Sequence, residues 1–105
     1  MIVRLTFCHF LPDRIDEVKK VYGAEIAPEV KKQKGNLGIR LLLPDDKSEA
    51  CISVTEWKTK ADADAYHTSG LYKTLVSRLQ EFFSGPPELK TYSAEEVFEA
   101  SPHVL

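Results

Sequence analysis

Residues Met1–Leu11 open the chain with a run that is rich in β-branched and aromatic side chains and contains no Gly or Pro. This composition predicts a first β-strand that ends before Pro12. Alternate residues of a strand point to opposite faces. One face therefore carries Val3, Leu5, Phe7, His9 and Leu11, and the other carries Arg4, Thr6, Cys8 and Phe10. Because both faces hold useful side chains, we expect both to be covered.

A helical pattern follows Pro12–Asp13, with apolar residues recurring at spacings of three and four: Ile15, Val18, Tyr22, Ile26 and Val30. This spacing predicts an amphipathic first helix. Pro28 interrupts the stripe and removes a backbone hydrogen bond, so we expect a kink or a split there. Gly35 fits the left-handed position that ends many helices.

Two strands come next, Leu37–Leu43 and Ala50–Lys58, joined by the polar, turn-forming segment Pro44–Ser48. So short a connection predicts an antiparallel hairpin. On the second of these strands, one face carries Cys51, Ser53, Thr55 and Trp57.

The remainder of the chain predicts a split second helix and a last strand. Thr59–Asp62 resembles a capping box, and a helix runs from Ala61 to about Thr68 before a break at Ser69–Gly70. A stronger helix then carries Leu71, Tyr72, Leu75, Val76, Leu79, Phe82 and Phe83, and Gly85–Pro87 ends it. Residues Leu89–Val97 favour a strand, although Glu95–Glu96 also permits a helical turn.

The element order β-α-β-β-α-β predicts one α+β domain over residues 1–105, with a ferredoxin-like fold. The handedness of crossovers places both helices on one face of a four-stranded antiparallel sheet. The other face stays bare and apolar, so we expect a homodimer in which two sheets face each other.

The composition limits the classes of partner that the chain is expected to bind. The chain has 43% hydrophobic and 29% charged residues, and its net charge of −2 is spread along the sequence. Nothing in this balance favours nucleic acid or a membrane. No signal peptide is evident, so we expect a cytoplasmic protein whose Cys8 and Cys51 are reduced. Because closely spaced Cys or His pairs are missing, we expect no metal.

Two stretches carry a family resemblance. In Val30–Gly38, a Gln33-x-Gly35 turn joins the first helix to the second strand. In Trp57–Ser69, a strand-ending Trp57 is followed ten residues later by His67 and then x-Ser69, with Leu71–Tyr72 beyond. With the element order, these stretches resemble the antibiotic biosynthesis monooxygenase family of dimeric α+β barrel proteins.

The resemblance implies a substrate cavity between sheet and helices. It also implies, as one possibility, oxidation of quinol-type aromatics by an oxygenase that needs no metal, haem or flavin. Other relatives degrade haem or have no assigned activity. The haem-degrading relatives share the Trp-to-His spacing and add an Asn on the first strand. Leu5–His9 contains no Asn, which argues against haem degradation.

His67 is the first candidate for catalysis, because imidazole titrates near neutral pH and can act as base or proton shuttle. It can equally be a histidine that stabilises the helix break. Trp57 is a candidate wall that stacks on a flat substrate, or the largest piece of core under the second helix.

Three further residues are candidates for substrate binding. Tyr72 is the best placed of the tyrosines Tyr66, Tyr72 and Tyr92 to donate to a phenolate or carbonyl. Arg40 lies within an apolar strand, so it stabilises an anion, pairs with Glu56 or lies at the dimer interface. His9 is expected to point into the helix-side cavity, the alternative being a surface histidine at a strand end.

The leading hypothesis is a cofactor-independent monooxygenase acting on a small aromatic or quinol-type substrate, with His67 as base. The alternatives are a haem-binding or haem-degrading protein and a non-catalytic dimer that binds a small ligand. An enzyme of the leading kind requires that His67 and Trp57 line one connected cavity.

Overall fold

The computed structural model describes residues 1–95 of the 105-residue chain. Its elements follow the predicted order β-α-β-β-α-β, and the helices and strands are β1 Ile2–Cys8, α1 Ile15–Val21, α2 Ala27–Lys31, β2 Asn36–Leu42, β3 Cys51–Trp57, α3 Lys60–Thr68, α4 Leu71–Ser77 and β4 Glu88–Ser93. The last strand ends before Glu95, and the predicted extension through Glu96 and Val97 lies outside the described residues. The ferredoxin-like α+β fold is confirmed.

The four strands form one antiparallel sheet in the order β2-β3-β1-β4. Val3 lies opposite Glu56 of β3 and Tyr92 of β4, and Cys8 lies opposite Cys51. The predicted hairpin is present, with Arg40 of β2 opposite Val54 of β3 and an irregularity between Asn36 and Gly38. Opposite residues share a face, so these registers define the two faces of the sheet.

The first helix is divided just before Pro28. A π-helical turn, Tyr22–Ile26, connects α1 and α2, and the Ala27 N–H donates to the Tyr22 carbonyl. Pro28 then lies in the first turn of α2, where its missing N–H leaves no intrahelical bond unmade. A wider helical turn therefore provides the split that the sequence offered beside a kink, and Val18, Tyr22, Ile26 and Val30 all remain buried on one stripe.

Glycines at two junctions between elements have a left-handed backbone, as expected for Gly35. Gly35 has φ +80 and its carbonyl accepts from the Lys58 N–H at 2.9 Å. A Cβ at Gly35 would overlap the side chain of Asp62, so this turn packs directly on the start of α3. Gly70 has φ +87 and separates α3 from α4 at the predicted break.

The helices cover only one face of the sheet, as predicted. Cys8, Phe10, Cys51 and Trp57 form a buried cluster with apolar residues of the helices. The opposite face, here called the open face, carries half-buried Val3, Leu5, Phe7 and Ile52 and exposed Leu42 and Tyr92. The single chain therefore covers one face of the first strand, and the expected cover of its other face stays a prediction.

Candidate functional site

A cavity lies between the helix face of the sheet and the helices. Its walls are mainly aliphatic and aromatic, with side chains that include Ile26, Val30, Leu75, Leu79, Phe83 and Leu89. The free volume is about 40 Å³, whereas pockets that enclose drug-sized ligands have roughly 300–1,000 Å³. The cavity in this conformation accommodates a few waters, and a larger ligand requires side chains of its wall to move.

Arg4 is the only charged residue among the described side chains that line this cavity. It is 8% exposed and projects from the middle of β1. Its Nη1 donates to the Ala63 carbonyl at 2.9 Å and its Nη2 to the Asp64 carboxylate, so it fastens α3 to the sheet. The Arg4 Nε is buried and has no hydrogen-bond partner.

Hydroxyl groups supply the rest of the polar lining, from Thr6, Tyr22, Ser53, Thr55, Tyr66 and Tyr72. The Tyr22 hydroxyl donates to the Arg40 carbonyl at 3.1 Å and lies 2.8 Å from the Ser53 hydroxyl. Burial raises the pKa of Tyr22 to about 12, an effect that the Ser53 hydrogen bond only partly opposes. The tyrosines are therefore neutral donors at physiological pH.

Tyr72 lies at the start of α4, one turn beyond the helix break. Burial raises its pKa, while the neighbouring Thr6 side chain and the charge of Arg4 act in the opposite direction. The phenol of Tyr72 therefore lies within electrostatic reach of Arg4 and stays protonated at neutral pH. Of the residues predicted from the sequence to form the site, Tyr72 is the one that lines this cavity.

His67 and Trp57 are joined by a row of aromatic rings. Trp57 stacks on Tyr66 with centroids 5.1 Å apart, Tyr66 meets Tyr72 edge-on at 6.0 Å, and Tyr72 contacts His67 at 4.7 Å. The two inner rings line the cavity, but the two ends do not. In this conformation, therefore, His67 and Trp57 do not line one connected cavity, which is the arrangement that an enzyme of the leading kind requires. Trp57 is fully buried and its indole N–H donates to the Thr55 hydroxyl at 2.9 Å, while His67 is exposed.

Arg40 and His9 lie away from the cavity. Arg40 is exposed on the open face, where it forms the ion pair with Glu56 that the sequence offered as an alternative. His9 is exposed just after β1 and borders a separate, wide surface depression near Asp13, Asp16 and Glu49. Because Thr6 and Cys8, on the other face of β1, line the helix-side cavity, the expected placement of His9 there is not observed.

The two cysteines are buried free thiols. Burial, with a smaller effect from the neighbouring Cys51, raises the pKa of Cys8 to about 12, and burial also raises the pKa of Cys51. A thiol with a raised pKa is a poor nucleophile. Both therefore serve as small apolar side chains, and residues 1–95 contain no cluster of His, Cys, Asp or Glu suited to a metal.

The residues of the family motifs hold the junctions around the cavity. The Gln33 side chain donates to the Glu29 carbonyl at the end of α2, and the Asn36 side chain donates to the carbonyls of Gly38 and Glu56. The Ser69 hydroxyl donates to the Tyr66 carbonyl and accepts from the Leu71 N–H, which links α3 to α4. These motif residues determine how the helices are set on the sheet.

Sequence reasoning missed Arg4, the most distinctive residue of the cavity. A signal was present, since Arg4 lies between Val3 and Leu5 in a strand, where a charge is costly unless it is paired. The same signal drew attention to Arg40 instead.

No helix within the described part of the chain is long and apolar enough to span a bilayer.

Comparisons with known proteins point to one family. The model of the antibiotic biosynthesis monooxygenase family matches residues 1–78. No curated protein matches the chain. Among solved structures, a Nitrosomonas europaea protein provisionally described as an antibiotic biosynthesis monooxygenase has a TM-score of 0.73 at 18% identity, covering 90% of this chain and 98% of that one.

Two further structures are similar over nearly their full lengths. A protein from Mycobacterium tuberculosis has a TM-score of 0.71 at 14% identity and covers 95% of this chain and 98% of its own. A variant of MhuD with two manganese protoporphyrin IX molecules bound per active site has a TM-score of 0.76 at 17% identity, covering 95% and 100%. At these identities the likeness shows the fold.

Proposed function

Because this chain belongs to the antibiotic biosynthesis monooxygenase family, we propose that it oxygenates a small aromatic or quinol-type substrate, with no metal or organic cofactor, in the helix-face cavity. The observation that carries the proposal is the lining of that cavity. Aromatic and aliphatic walls suit a flat ring and exclude water. The neutral hydroxyl of Tyr72 supplies the donor for a substrate oxygen, because that of Tyr22 already donates to the Arg40 carbonyl.

Such a reaction needs no external reductant. When a ring C–H of a phenol becomes a quinone carbonyl, the substrate supplies the four electrons that reduce one O₂. One oxygen atom enters the ring and the other leaves as water with two hydrogens of the substrate. The protein's tasks are to accept a proton and to stabilise the resulting anion, for which Tyr72 is the neutral donor within the cavity.

His67 is the proposed proton acceptor, and it reaches the substrate only when Tyr72 moves. The Tyr72 ring lies between the exposed His67 and the cavity, two residues after the left-handed Gly70. A shift of the first turn of α4 about Gly70 would enlarge the cavity and open it toward His67. The small free volume supports this step, since the closed cavity is too small for an aromatic ring.

Oxygen uptake with a panel of phenols and quinols tests this proposal. We expect His67→Gln to lower kcat/KM by about 100- to 10,000-fold, as loss of a general base does. His9→Gln is the matched control, because His9 is also an exposed histidine but borders a different depression. Equal activity in the two variants would remove His67 from the mechanism. Binding of compounds from the panel, with no oxygen uptake from any of them, would favour the non-catalytic dimer that binds a small ligand.

A porphyrin is the second candidate ligand, because a structural neighbour holds manganese protoporphyrin IX. The residues around the closed cavity do not fit so large a group, and the exposed His67 lies outside it. Titration of the protein with haemin distinguishes the candidates. A Soret band that saturates and that His67→Ala abolishes would favour haem binding, whereas unchanged spectra support the aromatic substrate.

A homodimer through the open face is part of the proposal. Half-buried Leu5, Phe7 and Ile52, together with exposed Leu42, form an apolar surface in the centre of the sheet, which a second copy would cover. We expect sedimentation equilibrium to give twice the single-chain mass of 11.9 kDa at micromolar concentrations. A single-chain mass throughout that range would contradict the dimer.

A further inference from the structure

Arg4 has an unused donor in a place where such groups are rare. Its two Nη atoms hold the Ala63 carbonyl and the Asp64 carboxylate, but its buried Nε–H has no partner. A buried donor without an acceptor carries a desolvation penalty that folding does not recover. Arg4 is more than nine-tenths buried and is one of the residues that line the cavity, but its Nε is itself shielded from solvent-sized groups, so an acceptor reaches this donor only when the wall of the cavity moves to admit a ligand.

The charge around Arg4 favours an anion as that acceptor. Asp64 forms ion pairs with two cations, because one of its carboxylate oxygens contacts Arg4 and the other lies 2.8 Å from the Lys60 ammonium group. Arg4, Asp64 and Lys60 together therefore carry a net positive charge. Within the described residues, no Asp or Glu lines the cavity. The positive charge at its inner end is therefore only partly compensated, and the protonated Tyr72 phenol nearby adds a second donor.

We propose that the cavity binds a small aromatic anion, a phenolate or an arene carboxylate, whose oxygen accepts the Nε–H of Arg4. This inference rests on the proposed function, since it names the class of substrate for the same cavity. It also explains a feature of the lining: no histidine or carboxylate borders the closed cavity within residues 1–95. A ligand that arrives already ionised needs no base to be bound.

Binding of 4-nitrophenol and of nitrobenzene, measured by calorimetry under nitrogen, tests the inference without turnover. The two ligands have similar ring size, and only the first ionises near neutral pH. Above the pKa of nitrophenol we expect the anion to bind about ten- to a hundredfold more tightly than nitrobenzene, the effect of one charge-assisted hydrogen bond. Below that pKa, we expect the preference to shrink.

Arg4→Met should abolish the preference for the anion, whereas Arg40→Met, the same change on the open face, should preserve it. Equal affinities for the two ligands in the unchanged protein, binding of neither, or a preference that survives Arg4→Met would overturn the inference. Circular dichroism and cooperative melting check that Arg4→Met is folded. If Arg4→Met does not fold, Asp64→Asn is the variant to test. Removing this carboxylate should strengthen anion binding several-fold, and an unchanged affinity would overturn the inference.

These outcomes are separate from those of the proposed function. Anion preference that depends on Arg4, with no oxygen uptake from any phenol, would support the ligand class and contradict the monooxygenase. Oxygen uptake from neutral substrates with no role for Arg4 would support the monooxygenase and contradict the proposed ligand class.

Discussion

Arg4 and Arg40 occupy opposite faces of the same sheet, and each pairs with a carboxylate of a neighbouring element. The side chain of Arg4 is 10% exposed, and that of Arg40 is 64% exposed. Arg40 can exchange its partner Glu56 for water at little cost, whereas Arg4 cannot. The same residue type therefore links two strands by an ion pair on one face and, among residues 1–95, provides the only charged side chain that lines the cavity on the other.

The contrast between the arginines extends to the whole of each face. The helix face is buried, yet it holds hydroxyls and a cation around a cavity. The open face is solvent-accessible, yet its centre is apolar. This inversion of the usual pattern is the reason for the two proposals, a polar ligand on the helix face and a second copy on the open face.

The largest expected difference between the faces lies in their aromatic residues. Trp57 on the helix face is fully buried, and Tyr92 on the open face is 51% exposed. Trp57→Ala should lower the free energy of unfolding by about 3–5 kcal/mol. Tyr92→Ala should change it by about 0.5 kcal/mol or less. Urea titration of both variants at low protein concentration measures the difference, and similar losses would contradict the burial described.

Association through the open face should respond to charge at its centre. Leu5→Glu places a carboxylate opposite Lys90, so the monomer can accommodate it, but a covering sheet would bury it. We expect the dimer dissociation constant to rise about a hundredfold or more. Thr74→Glu, on the exposed surface of α4, serves as the control. Sedimentation showing an undiminished dimer for Leu5→Glu would place the interface elsewhere.

The two arginines should also differ in stability. Arg4→Met leaves the buried Ala63 carbonyl without its donor, and we expect a loss of about 1–3 kcal/mol. Arg40→Met removes an exposed pair and should cost at most about 1 kcal/mol. Chemical denaturation of the two variants side by side gives the comparison. Equal losses would mean that the burial of Arg4 has no energetic consequence.

Alkaline pH should weaken the helix face. In the folded protein the pKa values of Cys8 and Tyr22 are both about 12, above the ordinary values of 9.0 and 10.0. Folding then retains protons that the unfolded chain releases, so stability is complete below pH 9 and declines as pH rises toward 12. The slope is on the order of 1 kcal/mol per pH unit for each group.

Unfolding by urea at a series of pH values from neutral upward measures this decline. Tyr22→Phe removes one of the buried groups whose pKa is raised, so its stability should start lower and fall less steeply. A stability that does not change up to pH 12 would show that neither group is buried as described.

The sequence predicted the elements well because each has a local signal. The apolar stripe from Ile15 to Val30, the Thr59 cap and the two glycines at left-handed positions depend on neighbouring residues alone. The π-helical turn before Pro28 was not predictable, because the sequence shows that a bond is lost but not how the helix accommodates the loss. Alternation in β1 separated two sets of residues correctly and could not tell which set the helices cover.

The site was predicted less well, because side chains distant in sequence create it. Trp57 and His67 stand at the two ends of an aromatic row, so their fixed spacing does not bring them to one cavity. The pairing of Arg40 with Glu56 followed from adjacent strands and is confirmed. The pairing of Arg4 with Asp64 joins positions sixty residues apart and depends on how α3 packs on the sheet.

The most direct test of the different roles of the two faces is a crystal structure of the protein soaked with 4-nitrophenolate. We predict that the ring lies in the helix-face cavity, with Tyr72 displaced and the phenolate oxygen within hydrogen-bond distance of the Arg4 Nε. A ligand bound on the open face, or in the depression beside His9 with Arg4 untouched, would contradict this account.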